Sequence, residues 1–600
     1  APGKPRSWRR DADVAVVGSG AAGIAVALTA AARGLRVLVV TKDLVGGATP
    51  LAQGGLAAAL GPGDTPAAHV SDTLTAGAGL CEAEAVTALA AAAPGAIGWL
   101  AGLGARLETR DLRLEGGHSA RRIVHSGDDS TGAEVHRVLL AALLRSGIEI
   151  LDRTVALELL GRDLGPLPGN LEPGDRAVGG LAAALIGADG RLTPGVISAR
   201  AVVIAAGGLG QAFGTTSNPA GATGDGIAVA ARAGAVIRDL EFVQFHPTVL
   251  WLPGASGQCP LVTEALRGAG AVLRDLDGTP LMAGHHPRGD LAPRDVVAAR
   301  MAQVISAGDA GHVWLDATAL GAGLLENGFP TVTGACRKHG IDPVTEPIPV
   351  APGAHYSCGG ILASLDGRTP LPGLYAAGEA ASTGVQGANR LASNSVTEAV
   401  IAGRRTGNAI ADGLTEAAGD GGPDISGPGV SGAGVSGPGV SGARAARRGD
   451  PAPGYDIQAP GRNARRAPGG RRAELAAAMS RHAGVMRDAA GLTRLVRLLT
   501  EDAAGGEEAG VVRDEFAGDL ELADVEAASL RTVSLLIAAG ARRRAESRGC
   551  HRRRDAAETA DAPRHTLARF DGRRLVLTEQ ALTPDRTPAA PAPAVTEEEL

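Results

Sequence analysis

The sequence is poor in aromatic residues and in cysteine. Aromatic residues make up 2% of the 600 positions and glycine occupies 88 of them, so the 44% apolar content is mostly small and aliphatic. The five cysteines are scattered and form no CxxC pair: Cys81, Cys259, Cys336, Cys358 and Cys550. This usage excludes a disulfide framework and the ligand spacing of a zinc site. We therefore expect no metal site and a reducing, cytoplasmic location.

Features of membrane and nucleic-acid-binding proteins are also missing. We find no run of 18 apolar residues free of charge, and the hydrophobic region of a signal peptide does not follow Arg9 and Arg10. The sequence therefore predicts neither a membrane span nor a signal peptide. A formal net charge of −6 is unlike the basic surface that nucleic acids require. A chain of 600 residues is long enough for more than one domain and a large core.

Residues 13–42 have the pattern of a dinucleotide-binding βαβ unit. A short apolar strand (13–17) leads into the sequence GSGAAG (18–23), and an Ala-rich helix (24–33) and a second apolar strand (35–40) follow. The N-terminus of such a helix offers free N–H groups and a partial positive charge to phosphates. Strand, glycines, helix and strand in this order predict bound FAD or NAD.

Each glycine of this unit has a separate expected role. Gly18 permits the tight turn, Gly20 lets the backbone approach a pyrophosphate, and Gly23 lets the helix pack closely on the strand. One part of the pattern is missing, because Thr41 and Lys42 stand where an acidic ribose ligand is usual. The ribose contact must therefore come from elsewhere.

Several glycine-rich or polar stretches are candidates for ligand contacts. The loop 46–55 is either a surface turn or a second wall against a flavin, and the polar stretch 115–132 is more typical of a site than of packing. Apolar strands at 201–206 and 373–379 end in glycine or acidic residues, as expected where the chain returns to the dinucleotide sheet. Residues 223–226 begin another Ala-rich helix.

The pattern changes along the chain and predicts several domains. Repeats of VSGAG and VSGPG indicate a flexible linker. Residues 473–500 and 519–544 are predicted to be helices. After Pro563 we expect at most one short strand pair. The basic segment 545–555 is either a solvated helix end or a functional surface. We expect a dinucleotide-binding domain in two parts (11–240 and 355–412), with a substrate domain inserted between them (241–354). A linker (413–470), a helical domain (471–562) and a largely disordered tail (563–600) follow.

The motifs, in their order, resemble those of the L-aspartate oxidase family, within the succinate dehydrogenase/fumarate reductase flavoprotein superfamily. The resemblance runs from about residue 11 to 407 and resumes over the C-terminal helices. The motifs are GSGAAG, AQGG, EGGHS, TGDG, QFHPT, TEALRG, RDVV, HYSCGG, GEAASTG, GANRLASNS and ESRG. The resemblance implies an α/β fold, α+β overall: a Rossmann-like FAD-binding domain, an inserted α+β capping domain and a C-terminal helical bundle.

The resemblance also implies how FAD is held. Many relatives attach FAD covalently through a histidine just before the Thr of the AQGG loop, and here that position is Ala48. We therefore expect non-covalent FAD, and Lys42 in place of the acidic ribose ligand is a feature of this family. The implied FAD-binding residues are Gly18, Ser19, Gly20, Ala21, Ala22, Gly23, Lys42, Ala48, Thr49, Pro50, Leu51, Ala52, Gln53, Gly54, Gly55, Asp225, Glu379, Ser395 and Val396.

The implied reaction is the oxidation of L-aspartate to iminoaspartate, with oxygen or fumarate as electron acceptor, as the first step of NAD biosynthesis. Arginine suits bidentate capture of carboxylates. By resemblance, the dicarboxylate is held by Gln244, His246, Thr263, His355 and Arg390. Glu115 faces the amino group, and Arg294 is the proton donor and acceptor. Quinolinate synthase, which uses the product, is the implied partner.

Two other functions were weighed. A soluble fumarate reductase or succinate dehydrogenase-type flavoprotein would use the same fold, but Glu115 and the absence of a haem-binding CxxCH motif disfavour it. A flavin-binding scaffold, working through the helical domain and the basic ESRG segment, would tolerate changes at Arg294 or Arg390.

Overall fold

The computed structural model describes residues 8–127, 130–163, 177–419, 455–458, 471–501, 520–572 and 574–582. The helices are α1 (Ala21–Ala32), α2 (Pro66–Ala76), α3 (Ala83–Gly102), α4 (Thr131–Arg145), α5 (Asp225–Arg232), α6 (Glu264–Gly268), α7 (Arg294–Ala307), α8 (Gly321–Gly328), α9 (Pro330–Lys338), α10 (Asn394–Gly419), α11 (Arg471–Ala483), α12 (Ala489–Glu501) and α13 (Leu522–Arg543).

The strands run through the whole of the described chain. They are β1 (Trp8–Val17), β2 (Val37–Val40), β3 (Leu56–Ala57), β4 (Glu108–Arg113), β5 (Ile123–His125), β6 (Glu149–Leu151), β7 (Thr154–Gly161), β8 (Val178–Ile186), β9 (Leu192–Ile204), β10 (Thr215–Thr216), β11 (Ile237–Arg238), β12 (Val243–Leu250), β13 (Gly257–Gln258), β14 (Val272–Arg274), β15 (Val313–Asp316), β16 (Ile348–Ser357), β17 (Gly360–Leu362), β18 (Leu374–Ala376), β19 (Ala381–Ser382), β20 (Tyr455–Gln458), β21 (Met486–Arg487), β22 (Arg552–Arg553), β23 (Arg564–Asp571) and β24 (Arg574–Ala581).

A mostly parallel sheet forms the centre of the dinucleotide-binding part. Its order is β6-β2-β1-β9, β18 pairs in parallel with the end of β9, and the antiparallel strands β8 and β7 extend the other edge. Val14 and Val16 of β1 belong to one core cluster, and Ala15 and Val17 to the cluster on the other face. Because both faces are covered there, residues 14–17 of β1 are continuously apolar and show no alternation. The predicted α/β fold is confirmed.

Helix α10 packs closely on α1 because two glycines face it. A Cβ at Gly403 would lie 2.5 Å from the carbonyl oxygen of Ala22, and a Cβ at Gly407 would lie 2.9 Å from that of Val26. Side chains larger than hydrogen would push the two helices apart. The close packing sets the N-termini of α1 and α10 along the same cavity.

A second sheet and its own core form the inserted part of the chain. The sheet has the order β13-β10-β16-β15-β14, with β12 antiparallel to β16. A separate apolar cluster, including Leu266, Met301 and Leu315, packs beneath it. Two bulges in the pairing of β12 with β16 lie at Gln244 and after His246. Such bulges turn side chains away from the regular alternation of a strand.

The C-terminal helices pack on the dinucleotide-binding part. Leu495 of α12 and Leu530 of α13 share one core cluster with Ile227 and Val229 of α5. This confirms the predicted helical domain. The first predicted helix is divided, because α11 ends at Ala483 and α12 begins at Ala489.

Two boundaries differ from the sequence predictions. The predicted linker 413–470 begins inside α10, which continues to Gly419, and it contains the strand β20. The one strand pair expected after Pro563 is present as β23 and β24, but this hairpin also pairs with β11 and β20, so residues 564–581 are not part of a disordered tail. The remaining residues of the predicted linker, with its repeats, and residues 583–600 lie outside the described part of the chain.

The basic segment 545–555 is not a solvated helix end. Arg548 and Arg553 are both buried. Arg548 pairs with Glu546 at 3.0 Å, and Arg553 pairs with Asp555 at 2.7 Å. Of the two alternatives, the solvated helix end is therefore wrong for these two side chains, because buried arginines are tolerated where carboxylates pair with them.

Among the helices that the structure describes, α3 alone is long and apolar enough to cross a membrane by length and composition. Its apolar face is part of a core cluster: Leu89, Ala93, Ile97 and Leu100 pack there.

Candidate active site

A large cavity opens where the parallel strands β1, β2, β9 and β18 end, the usual ligand position in open α/β sheets. The predicted site residues that line it are Gly18, Ser19, Gly20, Ala21, Ala22, Lys42, Ala48, Thr49, Leu51, Ala52, Gln53, Gly54, Gly55, Glu115, Asp225, His246, Thr263, Arg294, His355, Glu379, Arg390, Ser395 and Val396. The others, Gly23, Pro50 and Gln244, lie outside the lining. The cavity joins the expected cofactor and substrate residues in one space.

The three glycines that follow β1 have different roles: two allow close packing of the backbone, and one leaves space in the cavity. A Cβ at Gly18, whose φ is +114°, would lie 2.2 Å from the carbonyl oxygen of Ala205. A Cβ at Gly23 would lie 2.0 Å from the carbonyl oxygen of Gly18. At Gly20 the nearest atom is Thr49 Oγ1 at 3.4 Å, an ordinary contact. Gly20 therefore faces open space at the start of α1, whereas Gly18 and Gly23 are fixed by packing.

The N-terminus of α1 is prepared for an anion. Its N-cap, Gly20, has no side chain, and the first turn contains no acidic residue. Thr49 Oγ1 accepts a hydrogen bond from the Ala21 N–H at 3.1 Å. The positive end of the helix dipole is thus left uncompensated by any carboxylate of its own turn, which favours a phosphate group.

Lys42 lines the cavity and occupies the sequence position where an acidic ribose ligand is usual. Its Nζ is 2.6 Å from Asp225 Oδ2 and 2.7 Å from Glu526 Oε1 of α13. Burial lowers the pKa of Lys42, but the two carboxylates outweigh burial and raise that pKa above its usual value. Lys42 therefore stays charged and fixes Asp225 at the cavity wall.

Two unpaired polar atoms indicate that the cavity takes a polar ligand. Gln53 Oε1 and Asp225 Oδ1 are buried without a hydrogen-bond partner, and both residues line the cavity. A buried acceptor left unpaired costs about 1–3 kcal/mol. A dinucleotide with hydroxyl and amide donors would satisfy such atoms, so these residues fit FAD.

Glu379 is a buried carboxyl that lines the cavity. Its Oε1 accepts the Ser357 N–H at 3.0 Å, and a Cβ at Gly208 would touch its carboxylate. Burial raises the pKa of Glu379 to about 7. The carboxyl is therefore partly protonated near neutrality and can donate as well as accept a hydrogen bond.

His246 of β12 and His355 of β16 form a pair at the capping side, with ring centroids 5.1 Å apart. Nδ1 of His246 accepts the Thr248 N–H at 3.2 Å, which leaves Nε2 to carry the proton of the neutral ring. Burial and the neighbouring arginines hold the pKa of both histidines well below 6.5. Both rings are therefore neutral, and Nε2 of His246 is a donor to an anionic ligand.

Arg390 is buried beside these histidines. Its Nε and Nη2 lie 3.3 and 3.2 Å from Gln244 Oε1, and Nη1 donates to Ser395 Oγ at 2.6 Å. Its guanidinium carbon lies 4.6 Å from the centre of the Tyr356 ring. Burial, followed by repulsion from Arg294, lowers the pKa of Arg390 to about 10. The guanidinium is still charged at neutral pH, and no carboxylate of the described residues forms an ion pair with it.

Arg294, the first residue of α7, is held by a carboxylate. Its Nε donates to Glu264 Oε2 at 2.6 Å, and Nη1 lies 3.3 Å from Gln244 Oε1. Glu264 is also 3.5 Å from Arg267 Nη2. Burial opposes ionisation of Glu264, but the two arginines outweigh it and lower its pKa. A charged carboxylate therefore lies between two guanidinium groups.

Glu115 lies opposite these arginines. Ser393 Oγ donates to its Oε2 at 2.6 Å, and a Cβ at Gly54 would lie 3.1 Å from its Oε1. Burial, and then the charge of Glu264, raise the pKa of Glu115. No arginine or lysine of the described chain forms an ion pair with it. A ligand cation would lower that pKa and restore the charge.

Comparison with known proteins gives the family. The FAD binding domain profile matches residues 13–396, and that of the fumarate reductase flavoprotein C-term matches residues 472–592. The L-aspartate oxidase of Streptomyces coelicolor is 42% identical over 97% of this chain and 95% of its own length. The chain belongs to the L-aspartate oxidase family. The predicted resemblance is therefore confirmed.

Other members of the L-aspartate oxidase family are similarly close. The Mycobacterium tuberculosis protein is 44% identical over 91% of this chain and 93% of its own length. The Caulobacter vibrioides protein is 40% identical, with 93% and 96% covered. Among solved structures, FrdA of Escherichia coli quinol fumarate reductase has a TM-score of 0.79 at 28% identity, with 97% and 98% covered. The Mycobacterium smegmatis Sdh1 complex has a TM-score of 0.73 at 28% identity, with 96% of both chains covered.

Some residues of this L-aspartate oxidase family site were missed by the sequence analysis. Glu264 and Arg267 lie in the TEALRG motif, of which Thr263 alone was chosen, and Ser393 lies in GANRLASNS. The motifs were recognised, but the contact of Glu264 with Arg294 depends on how α6 and α7 pack, and Ser393 meets Glu115 from a distant part of the sequence. Thr263 is the N-cap of α6, and its oxygen accepts the Ala265 N–H at 3.4 Å, so its hydroxyl proton is free for a ligand.

Proposed function

We propose that the chain catalyses the FAD-dependent oxidation of L-aspartate to iminoaspartate, the first step of NAD biosynthesis, with oxygen or fumarate as electron acceptor. The observation that carries this proposal is a buried carboxylate, Glu115, in one cavity with Arg390, Arg294 and two neutral histidines. One anionic and several cationic or donating groups match a ligand with one ammonium and two carboxylates. The product would pass to quinolinate synthase, and the buried free cysteines fit a reducing cytoplasm.

The two substrate carboxylates are proposed to bind at the capping side. Arg390 has a charged guanidinium without a carboxylate partner, and His246 has a free N–H at Nε2. His355 and the Thr263 hydroxyl complete the set of donors. Gln244 does not line the cavity; its amide oxygen faces Arg390 and Arg294, so it orients both guanidinium groups. The predicted role of Gln244 is therefore shifted from binding to positioning.

Glu115 is proposed to select the amino group. A substrate ammonium buried beside an unpaired carboxylate gains a charged hydrogen bond, whereas a buried ammonium without a partner costs several kcal/mol. Succinate and fumarate have no such group. The alternative of a succinate dehydrogenase-type enzyme gives Glu115 no ligand, so aspartate is the better match to this cavity.

Arg294 is proposed as the proton donor and acceptor. Aspartate must lose a proton from nitrogen, and fumarate must gain one at an alkene carbon. In fumarate reduction the Arg294 guanidinium also stabilises the negative charge that develops at the alkene carbon before that carbon is protonated. Glu264 holds Nε and directs the remaining N–H groups toward the cavity. FAD, when bound, supplies the hydride acceptor for the Cα–H bond.

FAD is proposed to be held without a covalent bond, by the α1 N-terminus, the loop 48–55 and the start of α10. Ala48 has no atom that could form a link. We expect acid-denatured protein to release its FAD completely into the supernatant, and absorbance of supernatant and pellet measures this. Yellow colour retained by the washed pellet would contradict non-covalent binding.

Gly20 offers a test of the proposed pyrophosphate contact. Gly20→Ala introduces a methyl group that the chain itself accommodates, because the nearest atom is 3.4 Å away. We expect the apoprotein to keep its thermal midpoint and its FAD dissociation constant to rise at least about tenfold, since the methyl group blocks close approach of the phosphate. Flavin fluorescence titration measures it. Unchanged FAD affinity would place the pyrophosphate elsewhere.

Steady-state assays test the proposed function. Purified protein is supplied with L-aspartate or succinate, with oxygen or fumarate as acceptor, and ammonia and oxaloacetate from the hydrolysed product are quantified. We expect turnover with L-aspartate and none comparable with succinate. Succinate oxidation at the higher rate would support the dehydrogenase alternative.

A further inference from the structure

A residue of the C-terminal domain reaches the helix that carries Arg294. Arg552, in β22, places Nη2 2.5 Å from Oδ2 of Asp295. Asp295 directly follows Arg294 in the first turn of α7. The side chain of Asp295 is 8% exposed and that of Arg552 is 30% exposed, so this ion pair is largely shielded from water. Shielded ion pairs hold their geometry better than those on the surface.

The other oxygen of Asp295 is bound by a residue of the loop that carries Arg390. Asn389 Nδ2 donates to Asp295 Oδ1 at 3.1 Å. The amide oxygen of Asn389 in turn accepts from Gln244 Nε2 at 2.8 Å. Asp295 therefore joins the C-terminal domain, the capping helix and the loop that carries Arg390. Each of its carboxylate oxygens has a different partner.

The first turn of α7 has no side-chain cap of its own. Its N-cap is Pro293, which makes no side-chain cap hydrogen bond. The bonds to Asp295 therefore hold the turn from outside. Arg294 is the first residue of that turn, and its guanidinium must keep its place between Glu264 and the cavity.

We propose that Arg552 is a positioning residue for Arg294: through Asp295 it fixes the first turn of α7, and so the direction of the Arg294 guanidinium, when the substrate reacts. The proposal rests on the proposed function. Arg552 lies outside the cavity lining and acts without touching the substrate. The C-terminal domain thereby contributes to the reaction as well as to the fold.

The test compares Arg552→Gln and Asp295→Asn with the control Arg554→Gln, which changes an exposed arginine two residues along the chain. We expect kcat for L-aspartate to fall about 10- to 100-fold in the first two variants, because small displacements of a reacting group have effects of this size. The inhibition constant of succinate should stay within about threefold of the parent value, because the carboxylate donors remain. Arg554→Gln should match the parent, and Arg552→Lys should recover part of kcat.

A double variant and two physical measurements separate positioning from general support. Arg552→Gln combined with Asp295→Asn should be no slower than the slower single variant, since both remove one interaction. FAD content and thermal midpoint should stay close to those of Arg554→Gln. The proposal is overturned if kcat of Arg552→Gln equals that of the control, if the two losses multiply, or if kcat falls only in proportion to FAD content.

The assays distinguish a failure of the proposed function from a failure of the positioning role of Arg552. A parent protein that does not oxidise L-aspartate contradicts the function itself. An active parent with an equally active Arg552→Gln variant leaves the function standing and overturns the positioning role. Should Arg552→Gln fail to fold, Asp295→Asn provides the same comparison, and Arg552→Lys remains the variant that keeps the charge.

Discussion

Glu115→Gln lowers the oxidation of L-aspartate by one to several orders of magnitude and affects the reduction of fumarate much less. This is the result we expect from a carboxylate that pairs with the substrate ammonium. The substitution keeps size and polarity and removes the charge. Loss of one partner of a buried charge pair costs about 2–5 kcal/mol, which gives the expected range.

The environment of Glu115 supports this expectation. Ser393 donates to one of its oxygens, and burial with the charge of Glu264 raises its pKa. Because its pKa is raised, the Glu115 carboxyl becomes neutral at a higher pH than an ordinary glutamate does. The apparent affinity for L-aspartate should therefore decline toward acid pH in the parent protein, and this decline should be absent in Glu115→Gln.

Fumarate reduction is the internal control for Glu115→Gln. Both reactions use the same flavin and the same donors, Arg390, His246 and His355, so misfolding would lower both. The measurement is kcat/KM for each substrate at one pH. Equal losses would show that Glu115 supports the fold or the flavin and does not bind the amino group.

Arg294→Gln should lower both L-aspartate oxidation and fumarate reduction by about 10²–10⁴-fold, the usual contribution of general acid–base catalysis. The loss should appear in kcat, because Arg390 and the histidines still bind the dicarboxylate. Arg294→Lys keeps a positive charge but lacks the fork that contacts Glu264 and Gln244 together. We therefore expect it to recover only a small part of the rate.

The controls for Arg294 concern stability and binding. Removing Arg294 leaves Glu264 with Arg267 as its remaining charged partner, so some loss of stability is expected. FAD content and the inhibition constant of succinate are measured in parallel with kcat. Full activity of Arg294→Gln would favour a flavin-binding scaffold whose function lies elsewhere.

The dinucleotide fold was predictable because its rules are local. The order of strand, GSGAAG, helix and strand within residues 13–42 specifies the turn, the helix N-terminus and the close packing. The structure places Gly18, Gly20 and Gly23 where those rules require them. Short-range geometry of this kind leaves a clear pattern in the sequence.

Contacts between distant segments were not predictable. The Asp295–Arg552 pair joins residues 257 positions apart, and Arg294 meets Glu264 from a different helix. The basic segment 545–555 left two alternatives open for the same reason, because contacts such as that of Arg548 Nη1 with the Ala78 carbonyl are visible only in the fold. The hairpin at 564–581 was likewise underestimated, because its partner β11 lies far back in the chain.

Anaerobic reduction of the bound flavin by substrate is the most direct test of the central claim. The purified holoprotein is mixed with L-aspartate or with succinate in the absence of oxygen and fumarate, and the flavin absorbance is followed. The account predicts complete bleaching by L-aspartate, formation of one equivalent of ammonia after hydrolysis, and a stable spectrum with succinate. Bleaching by succinate with a stable spectrum in L-aspartate would contradict it.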